Sequence, residues 1–457
     1  MGSEWGRKTL GDVIELKRGY DLPKKSRVAG SIPLVSSAGV SDFHNEAKVK
    51  GPGVVTGRYG TIGEVFYSEE DFWPLNTTLY VRDFKGNDEK FIYYFLKTID
   101  YLQYSDKAAV PGVNRNHLHM AEVFFPEDVA TQKKIAEILG TIDNKIALNR
   151  QINTTLESMA QALFKSWFVD FDPVIDNALA AGNEIPDELA ARAARREALR
   201  QQTNKTTGAT DAASSEEALP ETGLSEQRLP PEIQQLFPDR FVLTEEMGWV
   251  PEGCEITTIG DAVETTGGGT PSTKNPDFWE GGVHPFCTPK DMSQLTSWVL
   301  MDTERHLTDD GVNKISSGQL PKGTVLMSSR APIGYLAISD VPVSVNQGVI
   351  ALLPNTVFGP LYLLNWLHAN LGAIMDRANG STFLEISKKN FRPIPFLIPS
   401  YDVAKAFNEQ AKAIQQKLLL LAEETVSLTN LRDSLLPKLL SGQITIPDAE
   451  QQLAEVL

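Results

Sequence analysis

Two stretches decide how this chain is organised: "KGTVLMSSRAPIGYLAI" at residues 322–338 and "GPGVVTGRYGTIGEVFY" at 51–67. In each, a glycine is followed seven residues later by an arginine (Gly51 to Arg58, Gly323 to Arg330), and an Ile-Gly pair then opens another apolar run. Apolar runs separated by small-residue turns read as paired strands. The pattern occurs twice, so the chain reads as a duplication.

Working outward, the echo becomes an internal repeat. "TLGD" at 9–12 answers "TIGD" at 258–261, and "PLNTTLYV" at 74–81 answers "VSVNQGVIAL" at 343–352, which aligns Asn76 with Asn346. "VNRNHLHMAEVFFP" at 113–126 answers "ISKKNFRPIPFLIP" at 386–399. The offset is 249 at the start and 270 to 273 later, as expected from one insertion in the second copy around "NPDFWEGGVHPFCTPKDMSQL". Solenoids repeat every 20 to 50 residues, so this distance means two whole domains.

After each copy the apolar period changes. Steps of four and three from Ile135 meet Leu139, Ile142, Ile146, Asn149, Asn153, Leu156, Ala160, Leu163 and Trp167. The same steps from Phe407 meet Ala411, Ile414, Leu418, Leu421, Thr425, Leu428, Arg432, Leu435 and Leu439, at a constant offset of 272. Eight of ten positions are apolar in each, the seam of a coiled coil. An ordinary amphipathic helix packed on its own domain is the competing reading. At about 1.5 Å per residue, such helices are roughly 50 to 60 Å long. Pro437 is expected to end or bend the second.

The expected layout is therefore mixed α+β, with two globular domains separated by a long antiparallel two-helix coiled coil. Its divisions are a first domain at 1–126, a helix at 127–172, an acidic linker or insertion at 173–246, a second domain at 247–399, a helix at 400–445 and a tail at 446–457.

Composition narrows the function. The 457 residues exceed what one core usually serves. Two cysteines, Cys254 and Cys287, are too few for a disulfide framework and lack zinc-site spacing, so no metal is expected. Without a long apolar span, the protein is expected in the cytoplasm. The formal charge of −16 speaks at first against nucleic acid. However, residues 173–246 hold 14 acidic and 7 basic side chains, while 1–126 hold 16 of each. The excess sits in a polar tract with the composition of a flexible segment.

At these residues the chain resembles the specificity subunit of type I restriction-modification enzymes. "TTGGGTPSTKNPDFWEGGVHPFCTPKDM" at 265–292 is similar to the opening of a target recognition domain in that family. "LFKSWFVDFDP" at 163–173 and "LRDSLLPKLLSGQI" at 431–444 are similar to its two conserved helix ends. The resemblance covers nearly the whole chain except about 174–245. It implies a non-catalytic reader of double-stranded DNA, with two target recognition domains each reading half of a split site. It also implies two methyltransferase subunits docked on the helices and further restriction/translocase subunits. S-adenosylmethionine and ATP would belong to those partners, and this chain would need no cofactor.

Three classes stay open: a DNA-binding specificity subunit, a self-sufficient DNA methyltransferase or nuclease, and a scaffold with two ligand-binding domains that ignores DNA. Catalytic motifs are weak. "GGGTPSTK" at 267–274 lacks phosphate-loop spacing, and "NPDF" at 275–278 is like a methyltransferase tetrapeptide with Asp277 in place of proline. His117 and His119 have no cluster to complete a metal site.

Candidate DNA contacts are Lys17, Arg18, Ser36, Ser37, Arg58, Tyr59, Asn76, Asn114 and Arg115 in the first copy. In the second they are Thr270, Ser272, Lys274, Lys290, Ser328, Ser329, Arg330, Asn346, Gln347, Lys388 and Lys389. Arg58 and Arg330 can fork onto guanine O6 and N7, and Asn76, Asn346 and Gln347 can pair with adenine edges. Serines and lysines suit bases or phosphates. The bland readings are ion pairs for the arginines, turn caps for the asparagines and a solvated face for Lys388 and Lys389.

Overall fold

The computed structural model describes residues 5–105, 112–207, 229–380 and 384–456. It divides into two compact units, Met1–Leu148 with Glu424–Leu457, and Asn149–Glu423. The boundary falls inside both long helices.

Both units use the same sheet plan. In the first, Gly53–Gly57 is central, antiparallel to Val65–Ser68 on one side and to Thr78–Asp83 on the other, with Glu15–Arg18 beyond. In the second, Val325–Ser329 lies between Ile333–Ser339 and Val349–Leu352, with Thr265–Gly267 beyond. The registers superpose. Val54 faces Tyr67 as Leu326 faces Ala337, and Val55 faces Tyr80 as Met327 faces Ile350. All five residues of each central strand are buried. Such strands, covered on both faces, are read from continuous apolar runs without alternation.

Beside each sheet, a two-stranded ribbon closes the domain. Trp5–Thr9 pairs with Glu122–Pro126, and Glu255–Thr258 with Pro395–Ile398. The "T-[LI]-G-D" echo is a local device: Thr9 and Thr258 cap one-turn helices by accepting from the N–H of Asp12 and Asp261 at 3.2 and 3.3 Å.

Each long helix is 40 residues, Val129–Phe168 and Tyr401–Leu440. The seam is buried as its spacing predicts: Ile135, Leu139, Ile142, Ile146 and Leu163 on the first, and Phe407, Leu418, Leu421, Leu428 and Leu435 on the second. Leu156 and Ile414 are partly buried. In the first unit Arg432 reaches Asp143 at 2.9 Å and Glu424 reaches Lys145 at 3.2 Å, so the segments run antiparallel. Pro437 does not end its helix, which continues to Leu440.

Two expectations about the rest of the chain are corrected. The acidic stretch is folded at both ends. Asp172–Ala181 and Ala190–Thr207 are helices, and Phe241–Thr244 pairs with Gly248–Pro251. Arg192 grips Asp172 with two bonds of 2.7 Å, Arg196 grips Asp176, and Asn177 donates to the carbonyls of Gln234 and Phe237 at 3.0 and 2.8 Å. Paired carboxylates on one helix meet paired guanidinium groups on the next, so net charge alone misjudged the segment. Residues 208–228, the core of the expected flexible tract, lie outside those described. The expected tail at 446–457 contains a helix, Ile446–Ala454, with Ala449 fully buried in the first unit's core.

Each domain is fastened to a long helix by its own polar tie. In the first unit the Tyr94 hydroxyl donates to Asp143 at 2.8 Å, on the carboxylate that Arg432 also holds. In the second, Glu157 accepts from the Trp298 N–H at 2.7 Å. Burial pushes the Glu157 carboxyl up to about 7, against a partial pull downward from that N–H. The folded chain therefore holds this proton more tightly than the unfolded one. Stability from the neutral carboxyl is complete below the ordinary value of 4.5 and is lost as pH rises toward 7. Glu157→Gln keeps an acceptor without a charge. Its melting temperature should exceed the parent's by about 2 to 4 °C at pH 8, and that gap should shrink on going to pH 5; a pH-independent gap would contradict the assignment.

Candidate nucleic-acid interface

In the first unit, four segments converge at the end of the central strand. Arg58 is the first residue past that strand; its N–H donates to the Thr77 carbonyl at 2.9 Å, and its own carbonyl accepts from Val113 at 3.1 Å. This brings Asn76, Arg58, Tyr59 and Asn114 together. Ser37 joins them, because a Cβ on Gly60 would meet its Oγ at 3.4 Å. The Arg58 guanidinium lies 4.4 Å from the Tyr59 ring centroid, a stacked cation that keeps its hydrogen-bonding edge open. Arg18 lies opposite Leu79 on the adjoining strand, and the Lys17 ammonium lies near the Tyr20 ring.

Several of these side chains have structural duties. Ser36 Oγ donates to the Gly39 carbonyl at 2.9 Å and closes a turn. Asn76 donates to Asp21. Asn114 caps Arg115–His119, accepting from the Asn116 N–H at 3.0 Å and leaving Arg115 exposed. His119 accepts from the Leu16 N–H at 2.9 Å, and burial lowers its pKa, so it is a satisfied neutral histidine.

The second unit repeats the arrangement with different side chains. Arg330 is again the first residue past the central strand. It faces Glu385 at 3.7 Å, with both side chains more than a third exposed. A pair this open is worth about 0 to 1 kcal/mol, so the guanidinium can be drawn off by a phosphate or a guanine edge. Gly348 is wedged beside it; a Cβ there would meet Arg330 Nε and Asn346 Oδ1, each at 3.2 Å. Asn346 Oδ1 accepts from the Gly348 N–H at 2.9 Å, and Gln347 accepts from Thr270 at 2.7 Å. Lys388 reaches Gly267, where a Cβ would meet its Nζ at 3.4 Å, so Thr270, Asn346, Gln347, Arg330 and Lys388 form one edge. Lys389 and Lys274 are exposed nearby in sequence.

Ser328 and Ser329 depart from expectation. Ser328 is fully buried; its hydroxyl donates to the Pro332 carbonyl and accepts from the Tyr335 N–H, each at 2.8 Å. Ser329 is 2% exposed. They shape the turn that presents Arg330 and offer no surface to a base. Lys290, on the short helix Pro289–Ser293, is engaged by Glu304, and the Ser272 carbonyl accepts from the Trp279 indole N–H at 3.1 Å, so each has a structural duty. Sequence reading missed Glu385, which pairs with Arg330 across the edge itself, and Asp143 and Glu157, isolated acids that tie domain to helix through partners between 49 and 289 residues away in the chain.

The comparisons with known proteins agree with this geometry. The family model described as "Type I restriction modification DNA specificity domain" matches residues 2–158 and 251–418, one match per copy. The Type I restriction enzyme HindI specificity subunit of Haemophilus influenzae is 32% identical over 324 residues, covering 69% of this chain and 68% of that protein. The MjaIX specificity subunit of Methanocaldococcus jannaschii is 35% identical over 157 residues, 34% of this chain and 36% of that one. Among solved structures, a type I restriction-modification S subunit from M. genitalium matches with a TM-score of 0.52 over 96% of both chains at 18% identity, a likeness of fold. With a duplicated domain, a long helix after each copy and the family model matched in both, the chain belongs to the specificity subunits of type I restriction-modification enzymes.

Proposed function

We propose that each unit's edge reads one half of a split, asymmetric DNA site, and that the chain itself carries out no chemistry. The observation that supports this is the placement of Arg58 and Arg330, each the first residue after the buried central strand of its unit. A rigid strand aims each guanidinium, while the surrounding side chains differ: Tyr59 and Ser37 in one, Gln347 and Thr270 in the other. Equivalent scaffolds with unlike edges suit two unlike half-sites. Adenine methylation would fall to two methyltransferase subunits bound to the long helices, and cleavage to restriction/translocase subunits. S-adenosylmethionine and ATP would be held by those partners.

Arg330→Ala tests the reading on the chain assembled with its methyltransferase, against DNA carrying the methylated motif of the host and against random DNA. Binding to the specific site should weaken by about 1 to 3 kcal/mol, with relaxed discrimination in one half only. Equal loss on both DNAs would make Arg330 a phosphate contact and remove it from sequence reading.

A further inference from the structure

We infer that the second unit carries a binding pocket for a small neutral aromatic molecule of indole size, in the place that the first unit fills with one of its own side chains. The offset of 249 that aligns "TLGD" with "TIGD" also aligns Trp5 with Cys254. The ribbon registers agree, since Gly6 faces Phe125 and Arg7 faces Phe124, as Glu255 faces Ile398 and Ile256 faces Leu397.

In the first unit the Trp5 indole stacks on Phe124, centroids 5.5 Å apart, and covers Gly442, where a Cβ would meet the indole at 3.1 Å. The second unit has a thiol at that position. Beside it lies a cavity of about 330 Å³, lined by Trp167, Phe171, Phe237, Leu397, Val403 and Cys254 itself. Leu397 is the counterpart of Phe124. The repeat has lost its indole and kept the space.

The lining selects the ligand class. An apolar cavity of about 150 Å³ already admits benzene, and ligand pockets begin near about 300 Å³. Trp167 and Phe237 stand edge to face at 5.0 Å, so aromatic faces and edges are both on offer. A charged ligand would lose its hydration to a mostly apolar lining, whose one carboxylate, Glu252, is itself exposed to solvent. Glu252 and Ser400, also on the lining, supply acceptors for a single ring N–H. Burial pushes the Cys254 thiol up to about 11, so near neutral pH it is protonated and reacts only slowly through its small thiolate fraction, and the pocket suits reversible binding.

The test uses the full chain and indole. Cys287 is fully buried, so a maleimide reports on Cys254. Indole at about ten times its dissociation constant should slow Cys254 labelling about tenfold and raise the melting temperature. In Cys254→Trp the new side chain occupies the cavity, and indole should no longer raise the melting temperature. Labelling unaffected by indole, or an indole shift that persists in Cys254→Trp, would overturn the pocket. The labelling measurement needs only the unaltered chain and stands even if the variant does not fold.

Discussion

Replacing Phe407 with alanine should cost about 3 to 5 kcal/mol of stability, enough to threaten folding of the second unit. The ring is fully buried and faces Phe164, Trp167, Phe168 and Tyr362 at 5.2 to 5.9 Å. Phe164, Trp167 and Phe168 lie on the first long helix, and Tyr362 lies on the globular domain's helix Pro360–Ala369. One side chain thus joins both long helices to the domain core. Truncation opens a cavity that four aromatic rings cannot all close, because close-packed interiors relax only in part. Phe407→Leu, which refills much of the volume, should lose clearly less. Denaturant unfolding measures both, and a loss under about 1 kcal/mol for the alanine variant would show that the cluster is not a joint.

Shortening the helices should change which DNA is recognised without changing what each domain reads. Removing seven residues from the middle of each long helix, around Asn149 and around Leu421, with the seams kept in register, takes out about 10 Å of helix. At about 3.4 Å per base pair along each strand, that is about three base pairs of nonspecific spacer. The seam repeats every seven residues, so a whole heptad preserves which side chains face inward. A deletion of three or four residues breaks the seam on one helix and should unfold it. The arginine-bearing edges lie outside the deleted segments, so both half-sites should be kept.

The duplication and the seam were legible in the sequence for a shared reason: each repeats a pattern whose period is set by backbone geometry. Val55 and Met327 fall in register with the same partners because the strand period carries through the offset, and Leu139 and Leu428 are fully buried because the helical period does. What was not legible depends on side-chain partners distant in sequence. Asp172 and Arg192 lie 20 residues apart, and their pairing rests on two helices folding back on each other. Summed charge called that segment an exposed tract, although the matched four-residue spacings of Asp172 with Asp176 and of Arg192 with Arg196 carried the signal. Ser328 looked like a base contact because its neighbour Arg330 did, and only the bend of the strand shows that it faces inward. Glu157 gave no sign at all, since its partner is a backbone N–H 141 residues away.

On the proposed function, two separate edges read DNA and the helices set the gap between their targets. Sequencing modified bases in cells that carry the methyltransferase with either the parent or the heptad-shortened chain tests it most directly. The parent should yield one split, asymmetric motif, and the shortened chain the same two half-sites with about three base pairs fewer between them. An uninterrupted motif from the parent, or an active shortened chain whose spacer is unchanged, would contradict the account.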